Sequence, residues 1–298
     1  MKKNQLKPRV LVIVGPTASG KSEFAVQLAK QVHGEIISAD SRQVYRGLDI
    51  GSGKVRGRWR VHPETRKKVF FYKNIPHYCI DFISPKRQYT AANFARDGMR
   101  AIENILRRGK TLIVCGGTGL YIDTLFGLRA VTDVPPNAKL RAKLEKLPTA
   151  KLFMMLKKRD PSFARKIDRH NPRRLIRALE IIDTKGKMPP PAIGGFPYPV
   201  RWIGIKRKPN DLKTAIARRI RAWLRNGFIE EVKRLRAHEL SWRRLDSFGL
   251  EYRLVAKFLR GEINSRKELA CIMEKKIWRY HKRQMTWWRK NKAIVWRS

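Results

Sequence analysis

Residues 9–22 read RVLVIVGPTASGKS, and this stretch decides the class of fold. Its first six residues are apolar apart from Arg9 and predict a buried strand, while apolar residues spaced by four predict a helix from Ser22 to Val32. The turn between them fits the P-loop pattern, in which backbone N–H groups, the helix dipole and a lysine together hold phosphate. We therefore predict a diphosphate or polyphosphate site, with Ser22 holding Mg²⁺, formed by Gly15, Pro16, Thr17, Ala18, Ser19, Gly20, Lys21 and Ser22.

Strand and helix patterns alternate from this stretch through residue 126. A second apolar strand covers residues 35–39, a third covers residues 111–115, and a helix capped by Thr90 runs to Arg108. Such alternation predicts an α/β fold, a P-loop NTPase-like parallel sheet flanked by helices and joined by right-handed crossovers.

The pattern changes after Gly127. Residues 135–185 show helical patterns without strands, and the stretch 189–195, rich in proline and glycine, is typical of a linker. One more strand follows at 201–205, and the helices predicted after it cover 212–225, 228–236 and 268–290. We therefore predict a P-loop catalytic core at 8–127, an all-helical insertion domain at 128–195, and a return to the core at 196–298.

The charge balance is the strongest compositional feature. The 298 residues include 68 Lys and Arg against 24 Asp and Glu, a formal net charge of +44. Such a surface favours RNA or DNA as a partner, although an unusually basic proteome would give the same excess. No apolar run is long enough to span a membrane, residues 1–5 do not begin a signal peptide, and the three cysteines match no zinc spacing. We expect a cytoplasmic protein with no membrane partner.

Asp40 is the candidate for chemistry beside the phosphate site. The third strand ends in Cys115-Gly116-Gly117, without the carboxylate that ordinary P-loop ATPases use for Mg²⁺, so ATP hydrolysis is not implied. The carboxylate instead follows the second strand, at the edge where ligands of open α/β sheets bind. This placement favours an acid–base or orienting role for Asp40, and a cap of the following turn is the alternative.

Six segments, taken together, resemble the tRNA dimethylallyltransferases. They occur in the order of that family from residue 9 to about residue 296. They are the P-loop at 15–22, GEIISADSRQVYRGLDIGSGK at 34–54, GGTGLY at 116–121, NPRRLIRALE at 171–180, NGFIEEV at 226–232 and KRQMTW at 282–287.

The resemblance implies transfer of a dimethylallyl group from dimethylallyl diphosphate to N6 of the adenosine just 3′ of the anticodon, position 37 of tRNA. Thr17, Lys21 and Ser22 would bind the diphosphate and its Mg²⁺, Arg219 would reach the leaving group, and Asp40 would act as general base. The implied contacts with the tRNA anticodon stem-loop are Asp40, Ser41, Arg42, Gln43 and Thr118, and an ordinary helix cap is the alternative for Thr118. In the helical domain we predict tRNA contacts from Arg141, Arg173, Arg174 and Arg177, and a solvated face is the alternative for the last three.

The chain departs from the family pattern at a few positions. Ala215 stands where the family often has another arginine, Tyr78 replaces the second residue of a His-His pair, and Gly249-Leu250-Glu251-Tyr252 spaces its glycine and tyrosine unusually. The basic segment Arg56–Asn74 is long and shows no clear period, so we interpret it as an insertion of open role. The absence of a C-terminal zinc finger makes the bacterial form of the family the closer likeness.

Two other functions stay open beside the prenyl transferase. A P-loop is also typical of small-molecule or nucleotide kinases that bind ATP, and an inactive cradle would leave a non-catalytic RNA-binding protein. The intact Lys21 and Ser22 weigh against the second, and the missing carboxylate after the third strand weighs against the first. We expect a monomer, and the tRNAs modified and the exact prenyl donor are left open.

Overall fold

A computed structural model describes residues 10–129, 132, 134–189 and 195–297. Residues 1–5 and the middle of the expected linker, 190–194, lie outside the described residues. The chain divides into two compact units, one formed by Met1–Phe126 with Gly195–Ser298 and the other by Gly127–Gly194. Each unit is described by itself.

The first unit is built on an eight-stranded sheet, which confirms the α/β prediction. The strands follow the spatial order β3-β4-β5-β2-β6-β1-β7-β8, and only the β3–β4 and β4–β5 pairs are antiparallel. The strands are β1 Val10–Val14, β2 Gly34–Ser38, β3 Arg58–Val61, β4 Lys68–Tyr72, β5 Ile75–Tyr78, β6 Thr111–Gly116, β7 Val200–Ile205 and β8 Ile294–Arg297.

Helices connect these strands and cover both faces of the sheet. Ile13 and Ile113 pack with the buried residues of α1 on one face, while Val12 and Val114 belong to a larger core on the other. The helices of this unit are α1 Lys21–Gln31, α2 Ala91–Arg107, α3 Gly119–Leu125, α8 Pro209–Arg225, α9 Phe228–Ala237, α10 Trp242–Ser247, α11 Leu250–Leu259 and α12 Arg266–Trp288.

Thr90 starts α2 as the sequence predicts. Its hydroxyl accepts a hydrogen bond from the backbone N–H of Asn93 at 3.2 Å, and the Asn93 side chain accepts one from the backbone N–H of Thr90 at 3.0 Å. These two bonds satisfy donors that a helix start otherwise leaves free. No helix in the described part of the chain is long and apolar enough to cross a membrane.

The basic segment Arg56–Asn74, interpreted from the sequence as an insertion of open role, contains regular structure that its pattern did not predict. It forms β3 and β4, which extend the sheet as an antiparallel edge. Lys73 and Asn74 turn the chain from β4 into β5 with φ angles of 49° and 64°, the left-handed conformation of a tight hairpin turn. Short strands without regular alternation gave no periodic signal, and β8 at the end of the chain was missed for the same reason.

The described residues of the second unit form helices joined by loops, with no strand among them, as the pattern at 135–185 predicts. Its helices are α4 Ala138–Leu144, α5 Thr149–Arg159, α6 Pro161–Ala164 and α7 Pro172–Lys185. Leu152 and Leu156 of α5 pack with Leu175 and Leu179 of α7 in a separate small core. This unit therefore has an apolar centre of its own.

Candidate active site

The P-loop curls around the end of β1 in a way that requires its glycines. Gly15 has a φ of 153°, and a Cβ there would lie 2.4 Å from the carbonyl oxygen of Ile205. Gly20 takes the left-handed conformation, with φ of 91°, at the start of α1. Only glycine enters such geometry without strain, so the loop can turn its N–H groups toward one point above the helix start.

Two polar side chains of the P-loop lack, in the described part of the chain, the hydrogen-bond or charge partners that buried polar groups normally have in a folded protein. The hydroxyl of Ser19 is buried without a hydrogen-bond partner among the described residues. Among the described residues, the ammonium of Lys21 donates to the carbonyl of Pro16 alone, at 3.2 Å. Burial lowers the pKa of Lys21, although Cys115 and Asp40 act against this. A buried donor and an enclosed cation at a helix start fit an anion, and a diphosphate would satisfy both.

Arg219 joins the loop from α8, far along the chain. Its Nη1 donates to the hydroxyl of Thr17 at 3.2 Å, and its guanidinium lies 4.6 Å from the centre of the Trp223 ring. Burial lowers its pKa, and the charges of Glu251 and Asp40 counter part of that effect. A Cβ on Gly53 would lie 1.5 Å from Arg219 Nη2, so Gly53 leaves the space that this arginine occupies.

Asp40 follows β2, two strands away from the P-loop in a sheet where β6 lies between β2 and β1. Its Oδ1 accepts from the backbone N–H of Arg42 at 2.8 Å and of Gln43 at 3.4 Å. Asp40 therefore caps the turn at 41–43, and these hydrogen bonds also orient its carboxylate. The charge of Asp40 acts on both Lys21 and Arg219, so the structure brings these predicted residues together.

The residues next to Asp40 are largely occupied by protein contacts. The hydroxyl of Thr118 accepts from the backbone N–H of Ser41 at 3.1 Å. Gln43 accepts from the hydroxyl of Ser38 at 3.0 Å and donates to the carbonyls of Ser52 and Gly53, each at 3.3 Å. Gln43 thus positions the loop that borders Arg219.

Gln284 is a site residue to which the sequence analysis assigned no role. Its side-chain oxygen accepts from the backbone N–H of Thr17 at 3.0 Å, and its side-chain nitrogen donates to the carbonyl of Gly117 at 3.0 Å. This buried amide joins the P-loop to the turn after β6. It lies in the KRQMTW segment, so the signal was present as a motif without an assigned function.

Glu231 is the second residue that sequence reasoning missed. Its buried carboxylate accepts from the backbone N–H groups of Asp49, Ile50 and Gly51 and from the hydroxyl of Tyr252 at 2.7 Å. These bonds fix the segment that leads into Gly53. A glutamate among the apolar positions of NGFIEEV was the available signal.

The four arginines predicted in the helical unit divide into two pairs. Arg141 donates twice to Glu180, at 2.7 Å each, and Arg177 donates to the same buried carboxylate at 3.3 Å. Arg173 and Arg174 are exposed, and no carboxylate within the described ranges pairs with either. Contact of these arginines with tRNA stays a prediction, and only the second pair has free guanidinium groups for it.

Metal binding has to rely on few protein ligands. No group of three or more His, Cys, Asp or Glu side chains in the described part of the chain is arranged to hold a metal ion. Mg²⁺ commonly keeps several waters and binds through substrate phosphates with one or two protein oxygens. The half-buried Ser22 at the first turn of α1 fits such a limited role.

Comparison with known protein families gives a consistent result. A family model described as IPP transferase matches residues 43–291, and one described as isopentenyl transferase matches residues 8–63. A tRNA dimethylallyltransferase 2 of Treponema denticola is 38% identical, covering 95% of this chain and 92% of its own. A tRNA dimethylallyltransferase 1 of Geotalea uraniireducens is 36% identical, covering 94% and 88%.

Solved structures agree with the sequence comparison. The tRNA isopentenylpyrophosphate transferase of Bacillus halodurans is 33% identical, with a TM-score of 0.67 over 98% of this chain and 90% of that one. A eukaryotic dimethylallyltransferase crystallised while acting on tRNA is 29% identical, with a TM-score of 0.74 over 94% of this chain and 69% of that one. These structures therefore share their fold with this chain over 94–98% of its length.

Proposed function

Because this chain belongs to the tRNA dimethylallyltransferase family, we propose that it transfers a dimethylallyl group from dimethylallyl diphosphate to N6 of adenosine 37 in tRNA. The observation that carries this proposal is the placement of Asp40 beside an enclosed, cationic P-loop, where its charge acts on Lys21 and Arg219. An acceptor carboxylate and an anion cradle at one edge of a sheet suit transfer of a group from a diphosphate to an amine.

The cradle stabilises the leaving group. As the C–O bond of the donor breaks, its electron pair stays on the diphosphate oxygen and negative charge grows there. Lys21, Arg219 and the N–H groups of the loop are fixed around this position, so little reorganisation is needed when the charge develops. The hydroxyl of Thr17 holds Arg219 toward the cradle.

Asp40 acts on the acceptor. The N6 lone pair of adenine is delocalised into the ring and is a poor nucleophile. It forms the new C–N bond while a proton leaves N6 for the Asp40 carboxylate, and such proton transfer contributes roughly 10²–10⁴ in rate. Because Oδ1 accepts the hydrogen bonds of the turn at 41–43, we assign Oδ2 as the atom that takes the proton.

Mg²⁺ is proposed as the cofactor, held by Ser22 together with the diphosphate. When bound, the ion neutralises charge on the leaving group. The buried hydroxyl of Ser19 and the ammonium of Lys21 supply the remaining protein contacts to the anion.

The tRNA anticodon stem-loop is the proposed partner. A base in a single-stranded loop leaves its stack at a cost of only a few kcal/mol, so it can reach Asp40. The net charge of +44 and the exposed Arg173 and Arg174 suit binding of the phosphate backbone. Since the substrate is tRNA, we place the enzyme in the cytoplasm and expect it to act as a monomer.

A transfer assay tests the proposal. The chain is incubated with Mg²⁺ and unmodified tRNA, together with either radiolabelled dimethylallyl diphosphate or radiolabelled ATP, and tRNA nucleosides are analysed by mass spectrometry. We expect isoprenoid label in tRNA as N6-dimethylallyladenosine, and none in a control tRNA with guanosine at position 37. Transfer of phosphate from ATP to a small molecule would indicate a kinase, and binding without any transfer would indicate a non-catalytic protein.

A further inference from the structure

Gln284 lies at the junction between the two halves of the proposed reaction site. The cradle for the donor follows β1 and Asp40 follows β2, and β6 lies between these two strands. The ladder between β1 and β6 ends at Val14 with Gly116, and the ladder between β2 and β6 ends one residue earlier in β6. Beyond that level the chain leaves the sheet, so other contacts have to fix the cradle relative to the acceptor carboxylate.

The acceptor side is joined to the turn after β6 by hydrogen bonds on both sides of Asp40. The N–H of Ala39 donates to the carbonyl of Cys115 at 2.8 Å, and the N–H of Thr118 donates to the carbonyl of Ala39 at 3.2 Å. The hydroxyl of Thr118 accepts from the N–H of Ser41 at 3.1 Å. The position of the Asp40 carboxylate therefore follows the position of this turn.

The donor side is joined to the same turn through the side-chain amide of Gln284. The amide oxygen accepts from the N–H of Thr17 and the amide nitrogen donates to the carbonyl of Gly117, at 3.0 Å each. A backbone N–H can only donate and a carbonyl can only accept, so this orientation of the amide satisfies both groups. The hydroxyl of Thr17 in turn accepts from Arg219 at 3.2 Å. The amide thereby connects the cation proposed for the leaving group with the turn that holds Asp40.

Two glycines of the GGTGLY segment give α12 the space to make this connection. A Cβ on Gly117 would lie 2.7 Å from Nε2 of Gln284, and a Cβ on Gly119 would lie 2.3 Å from Nε1 of Trp287. The indole of Trp287 also donates to the carboxylate of Asp123 in α3 at 3.1 Å. The helix is thus packed directly on the turn, and the amide of Gln284 is buried between the turn and the P-loop.

On this basis, which rests on the proposed function, we infer that Gln284 is a positioning residue that fixes the distance between the diphosphate cradle and Asp40. The donor carbon is attached to an anion in the cradle, and the acceptor nitrogen is held at the carboxylate. A shift of about 1 Å between two such partners can cost about 100-fold in rate. The oxygen and nitrogen of the amide are both bonded to backbone, so Gln284 acts through Thr17 and Gly117.

A carboxamide suits this place because it offers a donor and an acceptor side by side. In Gln284→Glu, the ionised side chain would accept from Thr17 but could not donate to Gly117. The protonated side chain has one O–H donor beside an acceptor oxygen and regains both bonds. Gln284→Glu should therefore be impaired at neutral and alkaline pH, and its rate relative to wild type should recover as the pH falls.

The test compares Gln284→Met, Gln284→Glu and Thr286→Ala with wild type in single-turnover transfer and in substrate binding. Gln284→Met is similar in size but lacks both hydrogen bonds, and we expect its transfer rate to fall by about 10- to 100-fold. The Kd for diphosphate with Mg²⁺ and the Kd for tRNA should each stay within about threefold of wild type. Thr286→Ala changes an exposed hydroxyl of the same helix, bonded to the carbonyl of Lys282, and should match wild type.

The pH profile of Gln284→Glu is the readout that a merely structural role would not change. Its rate, divided by the wild-type rate at the same pH, should rise about fivefold or more between about pH 8 and pH 5, because burial favours the protonated acid. The ratio removes the titration of Asp40, which both proteins share. Each variant point is measured on one folded protein, so this profile decides the question even if Gln284→Met does not fold.

Hydrogen exchange checks the contact without requiring any transfer. Peptides covering 15–22 should exchange faster in Gln284→Met, which frees the N–H of Thr17, and near the wild-type rate in Gln284→Glu, which keeps an acceptor. Unchanged transfer in Gln284→Met, a loss confined to the Kd for diphosphate, or a flat pH ratio in Gln284→Glu would each overturn the inference. If exchange responds as expected but wild-type enzyme transfers no prenyl group, the proposed function fails while the contact stands.

Discussion

Two regions of this molecule enclose basic side chains, and they treat the charge in opposite ways. In the helical unit, Arg141 and Arg177 both bind the buried carboxylate of Glu180. In the cradle, Lys21 and Arg219 bind neutral oxygens, the carbonyl of Pro16 and the hydroxyl of Thr17. In the first region a carboxylate binds both cations directly, while in the second the nearby carboxyl groups act on the cations without a hydrogen bond to them among the described residues.

The pKa shifts follow the same division. Burial alone raises the pKa of Glu180, but hydrogen bonds from Arg141 and from the backbone of Asn137 lower it below the ordinary value. Burial lowers the pKa of Lys21 and of Arg219, because nearby carboxyl groups compensate the charge only in part. Buried cations whose charge is only partly compensated by the protein indicate a ligand site. Cations that are bound to a carboxylate indicate a structural role.

Removing the base should have the largest effect in the cradle. We expect Asp40→Ala to lower kcat by about 10²–10⁴, because it removes the proposed acceptor of the proton from N6. Asp40→Asn retains an oxygen to cap the turn at 41–43 and should be almost as slow. Single-turnover rates at saturating tRNA check this, and an unchanged rate constant with intact tRNA affinity would remove Asp40 from the mechanism.

Arg219→Gln tests whether the cations of the cradle bind the leaving group. The loss of one fixed cation at the diphosphate is expected to cost about 10²–10³ in kcat. Added diphosphate with Mg²⁺ should raise the Tm of the wild type more than that of Arg219→Gln, because a ligand stabilises the folded state that binds it. Equal shifts in Tm would show that Arg219 does not contact the anion.

Glu180→Ala should destabilise the helical unit without a direct effect on the cradle. Removing the acid leaves Arg141 and Arg177 without their shared partner, and we expect a loss of about 3 kcal/mol in the free energy of unfolding. Hydrogen exchange of peptides from 138–185 should increase, while diphosphate affinity stays at the wild-type level. Unchanged exchange would contradict the structural role of this carboxylate.

The same carboxylate predicts a dependence on pH. Since the folded pKa of Glu180 is lowered, its contribution to stability is present above the unfolded value near 4.3 and is lost as the pH falls through the folded pKa. Protection of 138–185 in the wild type, corrected for the intrinsic pH dependence of amide exchange, should therefore fall on acidification below that point. Glu180→Gln has no such titration and should show a flatter response.

The smallest expected effect concerns the exposed pair in the same helix. The double variant Arg173→Ala with Arg174→Ala should weaken tRNA binding by about tenfold and reduce the slope of log affinity against log salt by about two. The value of kcat at saturating tRNA should not change. If Arg141→Ala reduced the salt slope as much without loss of stability, the division between paired and exposed arginines would be wrong.

Local motifs were readable from the sequence, whereas distant contacts were not. The P-loop and Asp40 each follow a predicted strand, so their positions come from short-range patterns. Arg219 was expected only from the family resemblance, because it meets Thr17 from 202 residues away. Gln284 and Glu231 act through contacts of similar range, and no periodicity reports which backbone groups a buried polar side chain will meet.

The arginines of the helical unit show that a motif does not by itself reveal the partners of its charged residues. Arg141 and Arg177 are expected to contact tRNA, which stays a prediction, and the structure shows that both bind Glu180. Glu180 lies on the apolar face of α7, between Leu179 and Ile181, which is the clue that its charge needs internal partners. The partners of a run of basic residues can be predicted only when the acidic residues that contact it in the fold are known.

The contact between Gln284 and the P-loop has a consequence for synthesis of the chain. The residues of the P-loop are made within the first 22, but the amide that joins Thr17 to Gly117 arrives only in α12. A nascent polypeptide therefore has the motif long before it has the finished phosphate cradle. The contact that joins these two loops can form only after α12 has been made.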